Sequence, residues 1–113
     1  ERNLNRKQIS HDFQIEIEDP KKFIDPQKRQ NIYLIFKEAI TNIIKHSNAT
    51  HVAIEFVEQK THLLLRIHDN GTPTPSQTSD GLGLSNMRLR ATQIGGTLKA
   101  FYQNGFMVEL TVG

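Results

Sequence analysis

The chain has 113 residues, enough for one domain with a modest core, and its 36% hydrophobic and 23% charged residues are typical of a folded globular domain. Fourteen basic and twelve acidic residues leave a formal charge of +2 without a run of five like charges, so charge gives no indication of a nucleic-acid partner. Cysteine is absent, which excludes disulfides and thiol chemistry, and no apolar run approaches the ~18 residues of a membrane span. We expect a single domain over residues 1–113, into which the polar residues 1–11 lead from an upstream segment.

The first part of the chain predicts a strand followed by a long helix. Apolar and polar residues alternate over residues 13–17, which is the period of a half-buried strand. Asp25 and Pro26 are typical of a helix N-cap and a first helical position, and we predict a helix from there to Ser47. At about 100° per residue, one stripe of this helix must be buried, and it consists of Ile32, Ile35, Phe36, Ala39 and Ile43.

The middle of the chain predicts a β-hairpin followed by a loop. Residues 52–57 and 63–68 are two apolar-rich runs that are separated by a short polar turn, so they are expected to pair. Residues 69–83 contain three glycines and two prolines, and this composition predicts a flexible loop.

The last part predicts a second helix and a closing hairpin. Ser85 is expected to cap a helix that runs to about Ile94 and ends at Gly95 and Gly96. Two further strands are expected on either side of a type I′ turn at Asn104-Gly105. The order β-α-β-β-loop-α-β-β predicts an α+β fold, a two-layer sandwich in which helices cover one face of a mixed, mostly antiparallel sheet.

Three polar residues lie beside the buried stripe of the first helix. Glu38, Asn42 and Lys45 follow one another at i, i+4 and i+7, so they stack along the helix. One interpretation is a solvated helical edge. The other is the wall of a site, in which Asn42 supplies an amide oxygen to Mg²⁺, a hard ion that prefers oxygen ligands, and Glu38 orients or deprotonates a group beside the metal.

The tripeptide Asp69-Asn70-Gly71 follows the third predicted strand. One interpretation is an Asx-type turn that leaves the strand. The alternative is a binding role, in which the Asp69 carboxylate accepts a hydrogen bond from a ligand amine such as that of adenine. Gly71 would then allow the ligand to approach the backbone closely.

A second glycine motif, Gly81-Leu82-Gly83-Leu84, precedes the second helix. Free backbone N–H groups at a helix N-terminus can bind phosphate, although the spacing fits neither a Walker nor a Rossmann loop. The five histidines have no metal-ligand spacing and indicate no Ser-His-Asp arrangement, but His46 is near enough to Asn42 on the helix to contact phosphate.

The order of these motifs carries more information than any one of them. EAITNIIKHS (residues 38–47), DNG (69–71), GLGL (81–84) and NMRLR (86–90) together resemble the catalytic, ATP-binding domain of bacterial sensor histidine kinases. The resemblance is closest to the subfamily whose N-box reads EAxTNxxKHS, and it extends from Phe13 to Gly113. It implies the two-layer sandwich that these kinases share with gyrase, Hsp90 and mismatch-repair ATPases.

The resemblance implies roles for the residues of the first helix. Asn42 would ligate the Mg²⁺ that accompanies ATP. Glu38 would be the catalytic acidic residue beside the transferred phosphoryl group, and Lys45 and His46 would contact phosphates. These roles fit the chemistry, because phosphoryl transfer depends mostly on positioning and charge neutralisation.

The resemblance also implies roles for the two glycine motifs. Asp69 would recognise adenine and Gly71 would form the floor beneath it, while residues 72–80 would be a short lid. The phosphate side of the nucleotide would be lined by Gly81, Leu82, Gly83 and Leu84.

The chain departs from the family pattern at two positions. Thr72-Pro73 replaces the usual second glycine after Asp69-Asn70-Gly71, which predicts a stiffer start of the lid. Phe106 follows Gly105 where the family has a threonine, and it cannot hold the water that bridges to adenine. Two alternatives therefore stay open: a serine kinase of the anti-sigma-factor type with the same fold, and an interaction module that no longer binds nucleotide.

The partners and the location are also implied by the resemblance. The intact kinase would be a homodimer that passes the γ-phosphoryl group to a histidine on its dimerisation domain and then to an aspartate of a response regulator. No phosphoacceptor motif is found in this chain, since the His11-Asp12 pair precedes a strand, and residues 1–11 would be a lead-in from the dimerisation domain. The isolated domain is expected to be a cytoplasmic monomer, from a parent that is either membrane-anchored or not.

Overall fold

The computed structural model describes residues 9–17, 25–59, 61–72 and 83–113. Within these ranges the chain forms five strands and two helices. In chain order they are β1 (Ser10–Glu16), α1 (Pro26–His46), β2 (His51–Glu58), β3 (Leu63–Asp69), α2 (Leu84–Gln93), β4 (Gly96–Tyr102) and β5 (Phe106–Val112).

The five strands form one mixed sheet in the order β1-β2-β3-β5-β4. β1 runs parallel to β2, whereas the three other neighbouring pairs are antiparallel. Both helices contribute to the same core as the sheet, in which Ile35 and Met87 of the helices and Ile67 and Leu110 of the strands are almost fully buried. The predicted α+β sandwich is therefore confirmed. Neither of the helices described here is long and apolar enough to cross a membrane.

Helix α1 begins and buries its apolar stripe as the sequence predicts. Asp25 is the N-cap, and its carboxylate accepts a hydrogen bond of 3.0 Å from the backbone N–H of Gln27. The helix ends at His46, and the N–H of Ser47 closes the last turn on the carbonyl of Ile43. Four of the five predicted stripe residues are buried, and the fifth, Phe36, is partly buried against the core.

Strand β1 differs from its prediction in both extent and burial. It begins at Ser10, three residues earlier than expected, and Ile9 before it is a core residue with 3% exposure, so the assignment of residues 9–11 to a lead-in was wrong. The expected half-burial of the strand is also wrong, because Phe13 and Ile15 are 48% and 60% exposed. The reason is that β1 lies at the edge of the sheet. Helix α1 contacts Phe13 there through the ring of Phe36, with 6.4 Å between the two ring centroids.

Two predictions about turns in the second half of the chain need correction. Helix α2 is capped not by Ser85, which lies inside it, but by Gly83, whose φ of +67° is in the left-handed region and which makes no side-chain cap. The hairpin between β4 and β5 pairs Tyr102 with Phe106, so the connection has three residues instead of two. Asn104 and Gly105 within it have positive φ values of 52° and 120°, as a tight turn requires.

The outer face of the sheet carries a row of alternating charges. The strand register aligns Glu55, Arg66, Glu109 and Lys99 across β2, β3, β5 and β4. Arg66 donates from Nε to Glu109 at 2.8 Å and lies 3.5 Å from Glu55, and the hydrogen bond to Glu109 raises the pKa of Arg66. Because cross-strand charges of opposite sign attract, this row supports the register on the face that the helices leave open.

Candidate functional site

Asp69, the last residue of β3, is a buried carboxylate held by backbone donors. It is 3% exposed, and its Oδ1 accepts hydrogen bonds from the N–H groups of Gly71 (2.7 Å) and Phe106 (3.1 Å). Its Oδ2 receives a longer contact of 3.5 Å from the hydroxyl of Ser47. Among the described contacts, Oδ2 is therefore the oxygen that keeps capacity to accept a strong hydrogen bond.

Asp69 lies in the wall of a narrow, partly open cavity of about 20 Å³ between α1 and the sheet. Most of the wall is apolar, and a few polar groups interrupt it. Such a surface suits a flat apolar group that carries a hydrogen-bond donor at one edge. The lining residues are Ala39, Asn42, Ile43 and Ser47 from α1 and its end, Ile67, Asp69, Gly71 and Thr72 from β3 and its exit, and Tyr102, Phe106 and Val108 from β4 and β5.

Two glycines allow the backbone to close around Asp69. A Cβ on Gly71 would lie 2.6 Å from the hydroxyl oxygen of Ser47 and 3.2 Å from Oδ1 of Asp69. A Cβ on Gly105 would overlap the backbone carbonyl of Asp69. The hairpin turn can therefore approach the end of β3 because residue 105 has no side chain, and this approach brings the N–H of Phe106 to the carboxylate.

An aromatic pair forms one end of the cavity. The rings of Tyr102 and Phe106 are 4.8 Å apart between centroids and are inclined at 53°, a contact typical of aromatic pairs. Burial, with a smaller contribution from the charge of Asp69, raises the pKa of Tyr102 above its usual value. Phe106 thus has two opposite effects on the site: its N–H stabilises Asp69 and its ring narrows the cavity.

Asn42 and Glu38 face different parts of the molecule. Asn42 is 7% exposed and lines the same cavity as Asp69 and Gly71. Glu38 lies in a second, more open cavity of about 230 Å³ between α1 and α2, beside Lys37 and Arg90. Its Oε1 would be 2.6 Å from a Cβ on Gly83, so this carboxylate packs against the N-cap of α2.

The remaining predicted site residues either do not line these two cavities or lie outside the described residues. Lys45 and His46 are exposed in the last turn of α1 and do not line either of these cavities. Leu84 is a core residue at the first position of α2. Gly81, Leu82 and most of the predicted lid, residues 73–80, lie outside the described residues. The structure therefore brings together Asn42, Asp69 and Gly71 in one group, and Glu38 and Gly83 in another.

Several groups around Asp69 were not predicted from the sequence. Ser47 contacts its carboxylate, and Asn48 and Asn70 connect the loop after α1 to the exit of β3 through side-chain hydrogen bonds. The backbone N–H of Phe106 was also not predicted, because every residue type except proline has such a donor and the sequence does not show where it points. For Gly105 the sequence did carry a signal, since Asn-Gly is typical of a turn. It did not show why glycine is needed there.

The structure also brings together Ser10, His51 and Asp12, which the sequence did not indicate. The Ser10 hydroxyl lies 2.7 Å from Nδ1 of His51, and Asp12 lies 3.2 Å from Nε2. The N–H of Ser10 donates to the carbonyl of Thr50, so it is not directed at an oxyanion beside the hydroxyl. This trio, in which Ser10 and Asp12 are exposed and His51 is half-buried, joins β1 to β2 and does not have the geometry of a nucleophilic site.

Comparisons with known proteins identify relatives of this chain. The family model described as histidine kinase-, DNA gyrase B-, and HSP90-like ATPase matches residues 27–112. Sensor histidine kinase YxjM of Bacillus subtilis (strain 168) is 40% identical over 89 residues, which are 77% of this chain and 22% of that protein. Sensor protein VraS of Staphylococcus haemolyticus (strain JCSC1435) is 40% identical over 91 residues, 79% of this chain and 24% of that protein. The chain spans about a quarter of the length of the curated relatives it matches.

Solved structures show the same fold at lower identity. The catalytic domain of the histidine kinase ThkA aligns with a TM-score of 0.76 at 20% identity, over 98% of this chain and 82% of that chain. Histidine kinase AdeS of Acinetobacter baumannii aligns with a TM-score of 0.76 at 17% identity, over 99% of this chain and 57% of that chain. Since the family model also covers three quarters of its residues, this chain belongs to the family of histidine kinase-, DNA gyrase B-, and HSP90-like ATPases.

Proposed function

We propose that this chain is the ATP-binding catalytic domain of a two-component sensor histidine kinase. The observation that carries the proposal is the buried Asp69 carboxylate in an apolar cavity that Asn42 also lines. An adenine ring matches the chemistry of this lining, because it has two apolar faces and an exocyclic amine that donates a hydrogen bond. Oδ2 of Asp69 is the acceptor for that amine.

The same carboxylate would select adenine over guanine. An ionised carboxylate only accepts hydrogen bonds, so it pairs with the amine of adenine and repels the carbonyl oxygen that guanine has at the same ring position. Because Gly71 and Phe106 hold Oδ1 from the backbone, the direction of Oδ2 is fixed before the base binds.

Residues of α1 and of the start of α2 would contact the phosphates of the nucleotide. Asn42 offers one amide oxygen, which fits Mg²⁺ because this ion takes few protein ligands and keeps several waters. The bound Mg²⁺ would neutralise phosphate charge. Glu38 lies beside Gly83, at the N-terminus of α2, and in our proposal orients the group that accepts the phosphoryl. Lys45 and His46, at the exposed end of α1, and the N–H groups of residues 81–84 would supply the remaining phosphate contacts.

The wider reaction is proposed from the relatives. Among the curated relatives that match, YxjM and YvfT are named sensor histidine kinases and VraS is named a sensor protein. By analogy, the γ-phosphoryl group moves from Mg-ATP to a histidine on a dimerisation domain outside these 113 residues, and then to an aspartate of a response regulator. The parent would be a homodimer, and this domain, a monomer on its own, would act in the cytoplasm.

Two other functions have less support. An anti-sigma-factor serine kinase would share the fold, but the names of the matching relatives favour the sensor kinase. An interaction module that does not bind nucleotide is favoured by one observation, the Tyr102–Phe106 pair that narrows the cavity. Against it is the buried Asp69, whose Oδ2 has, among the described contacts, only the long one from Ser47 and so remains available to a ligand donor.

Calorimetric titration with ADP and ATP, with and without Mg²⁺, tests the proposal. In Asp69→Asn, Oδ1 can still accept from Gly71 and Phe106, while an amide donor replaces Oδ2 and faces the adenine amine. We expect the fold to persist and ADP affinity to fall about 10- to 100-fold, the effect of one hydrogen bond to a charged group. Asn42→Ala should remove the Mg²⁺ dependence of binding.

Matched controls separate binding from stability. Asp12→Asn makes the same chemical change at an exposed carboxylate of β1, and Asn31→Ala removes a buried amide from α1 that binds Arg90 and Gln93 of α2. Neither control should change ADP affinity. If the wild-type chain is folded and binds no adenine nucleotide, the proposal is wrong and the interaction module becomes the better explanation.

A further inference from the structure

The side chain of Asn48 makes two short hydrogen bonds to one residue that is distant in sequence. Its Nδ2 donates to the hydroxyl of Thr72 at 2.8 Å, and its Oδ1 accepts from the backbone N–H of Thr72 at 2.8 Å. Both residues are exposed, where an amide could equally be hydrated by water. A reciprocal pair of this kind instead fixes the position and the orientation of Thr72 relative to the end of α1.

Thr72 matters because it forms part of the cavity wall. Gly71 and Thr72 both line the cavity that contains Asp69, whereas Asn48 does not line it. The backbone at Gly71 packs so closely on the loop after α1 that a Cβ there would lie 2.8 Å from Oδ1 of Asn48. Asn48 therefore supports this wall from outside the cavity.

A second amide holds the outer side of the same segment. Oδ1 of Asn70 accepts from the N–H groups of Thr50 (2.9 Å) and His51 (3.0 Å), and Nδ2 of Asn70 donates to the hydroxyl of Thr50 at 3.0 Å. Asn70 anchors the exit of β3 to Thr50 and His51 at the start of β2, and Asn48, just after α1, binds Thr72 and packs against Gly71. Between these two anchors, the backbone N–H of Gly71 is directed at Asp69.

We propose that Asn48 is a positioning residue for nucleotide binding, which acts by holding Gly71 and Thr72 in the geometry that closes the base cavity. This inference rests on the proposed function, because it concerns the same cavity. Asn48 does not line the cavity. It acts through Thr72, so its removal should lower nucleotide affinity without removing any ligand contact.

The test is a titration of the 113-residue chain and its variants with ADP. Asn48→Ala removes both hydrogen bonds and should weaken ADP binding about five- to tenfold. Thr72→Val removes the hydroxyl and keeps the backbone N–H bond to Asn48, so we expect a loss of about two- to threefold. If the two residues act as one unit, the double variant should bind ADP as weakly as Asn48→Ala alone.

Hydrogen exchange at a single amide gives a readout that a general loss of stability would not produce. Without ligand, exchange of the backbone amide of residue 72 should be faster in Asn48→Ala and unchanged in Thr72→Val. Asn31→Ala is the matched control, since it also removes two hydrogen bonds made by an asparagine side chain, but between α1 and α2. It should lower the free energy of unfolding and leave both ADP affinity and the Thr72 amide unchanged.

The possible outcomes are distinguishable. If wild type binds ADP and Asn48→Ala binds it equally well, the positioning role is refuted and the proposed function stands. Losses that simply multiply in the double variant would also refute it, because the two residues would then act separately. A wild-type chain that binds no ADP would overturn the proposed function and this inference with it.

Discussion

Replacing Gly105 by alanine tests whether the close approach of the β4–β5 turn to Asp69 holds the site together. Two costs are expected. The φ of +120° lies in a region that residues with a side chain rarely adopt, which costs about 1–2 kcal/mol. The added Cβ also overlaps the backbone carbonyl of Asp69, and relief of such overpacking costs about 1–3 kcal/mol. Together, Gly105→Ala should lower the free energy of unfolding by about 2–5 kcal/mol.

Gly95→Ala is the matched control for this substitution. Gly95 also has a positive φ, +72°, but a Cβ there would meet no atom within 4 Å. It should therefore cost about 1–2 kcal/mol, from backbone conformation alone. Urea unfolding followed by circular dichroism measures both variants, and the difference between them isolates the overlap. Equal losses in the two variants would show that the turn does not press on Asp69, and the account of how Phe106 reaches the carboxylate would fail.

Three further predictions concern the cavity and the sheet. Phe106→Thr removes a ring from the cavity and keeps the backbone N–H bond to Asp69, so ADP should bind about fivefold more tightly, roughly 1 kcal/mol; weaker binding in calorimetry would mean that the ring stacks on the base. The pKa of Tyr102 is raised in the folded state, chiefly by burial, so its contribution to stability is complete below the usual value of 10.0 and is lost as the pH rises from there through the raised pKa. Alkaline unfolding curves of Tyr102→Phe should lack this loss, and identical curves would contradict the prediction. Arg66→Ala should cost about 0.5–1 kcal/mol at low salt and less at 1 M NaCl, because the Glu55–Arg66–Glu109 row is partly exposed; a loss independent of salt would indicate packing instead.

The two helices and the inner strands could be predicted because their signals are local. Asp25-Pro26 marks the start of α1, and the burial of Ile35 and Ala39 follows from the 3.6-residue period. Strand β1 was predicted less well, since alternation reports which side chains share a face and not whether a helix covers that face. Phe13 lies on the helix side of an edge strand and is still half exposed.

The start of α2 shows how a local signal can mislead. Serine is a frequent N-cap, so Ser85 was the natural choice from sequence. In the fold, the carboxylate of Glu38 packs beside Gly83, and glycine can adopt the left-handed conformation that the chain needs at that point. This contact joins residues that are 45 positions apart, and no local pattern encodes it.

The sequence by itself determined the type and order of the elements, the buried face of α1, and the residues whose motifs point to a nucleotide site. These properties depend on the period of apolar residues and on residue chemistry, both of which can be read within a few turns of the chain. Only the tertiary structure decided which residues meet: Asn42 with Asp69 in one cavity, Glu38 with Gly83 in another, and the backbone of Phe106 with the carboxylate of Asp69. Such contacts depend on the packing of helices against the sheet and on the close approach of backbones at glycine. Burial and hydrogen-bond geometry set these features across the whole fold, and the identity of a residue does not specify them.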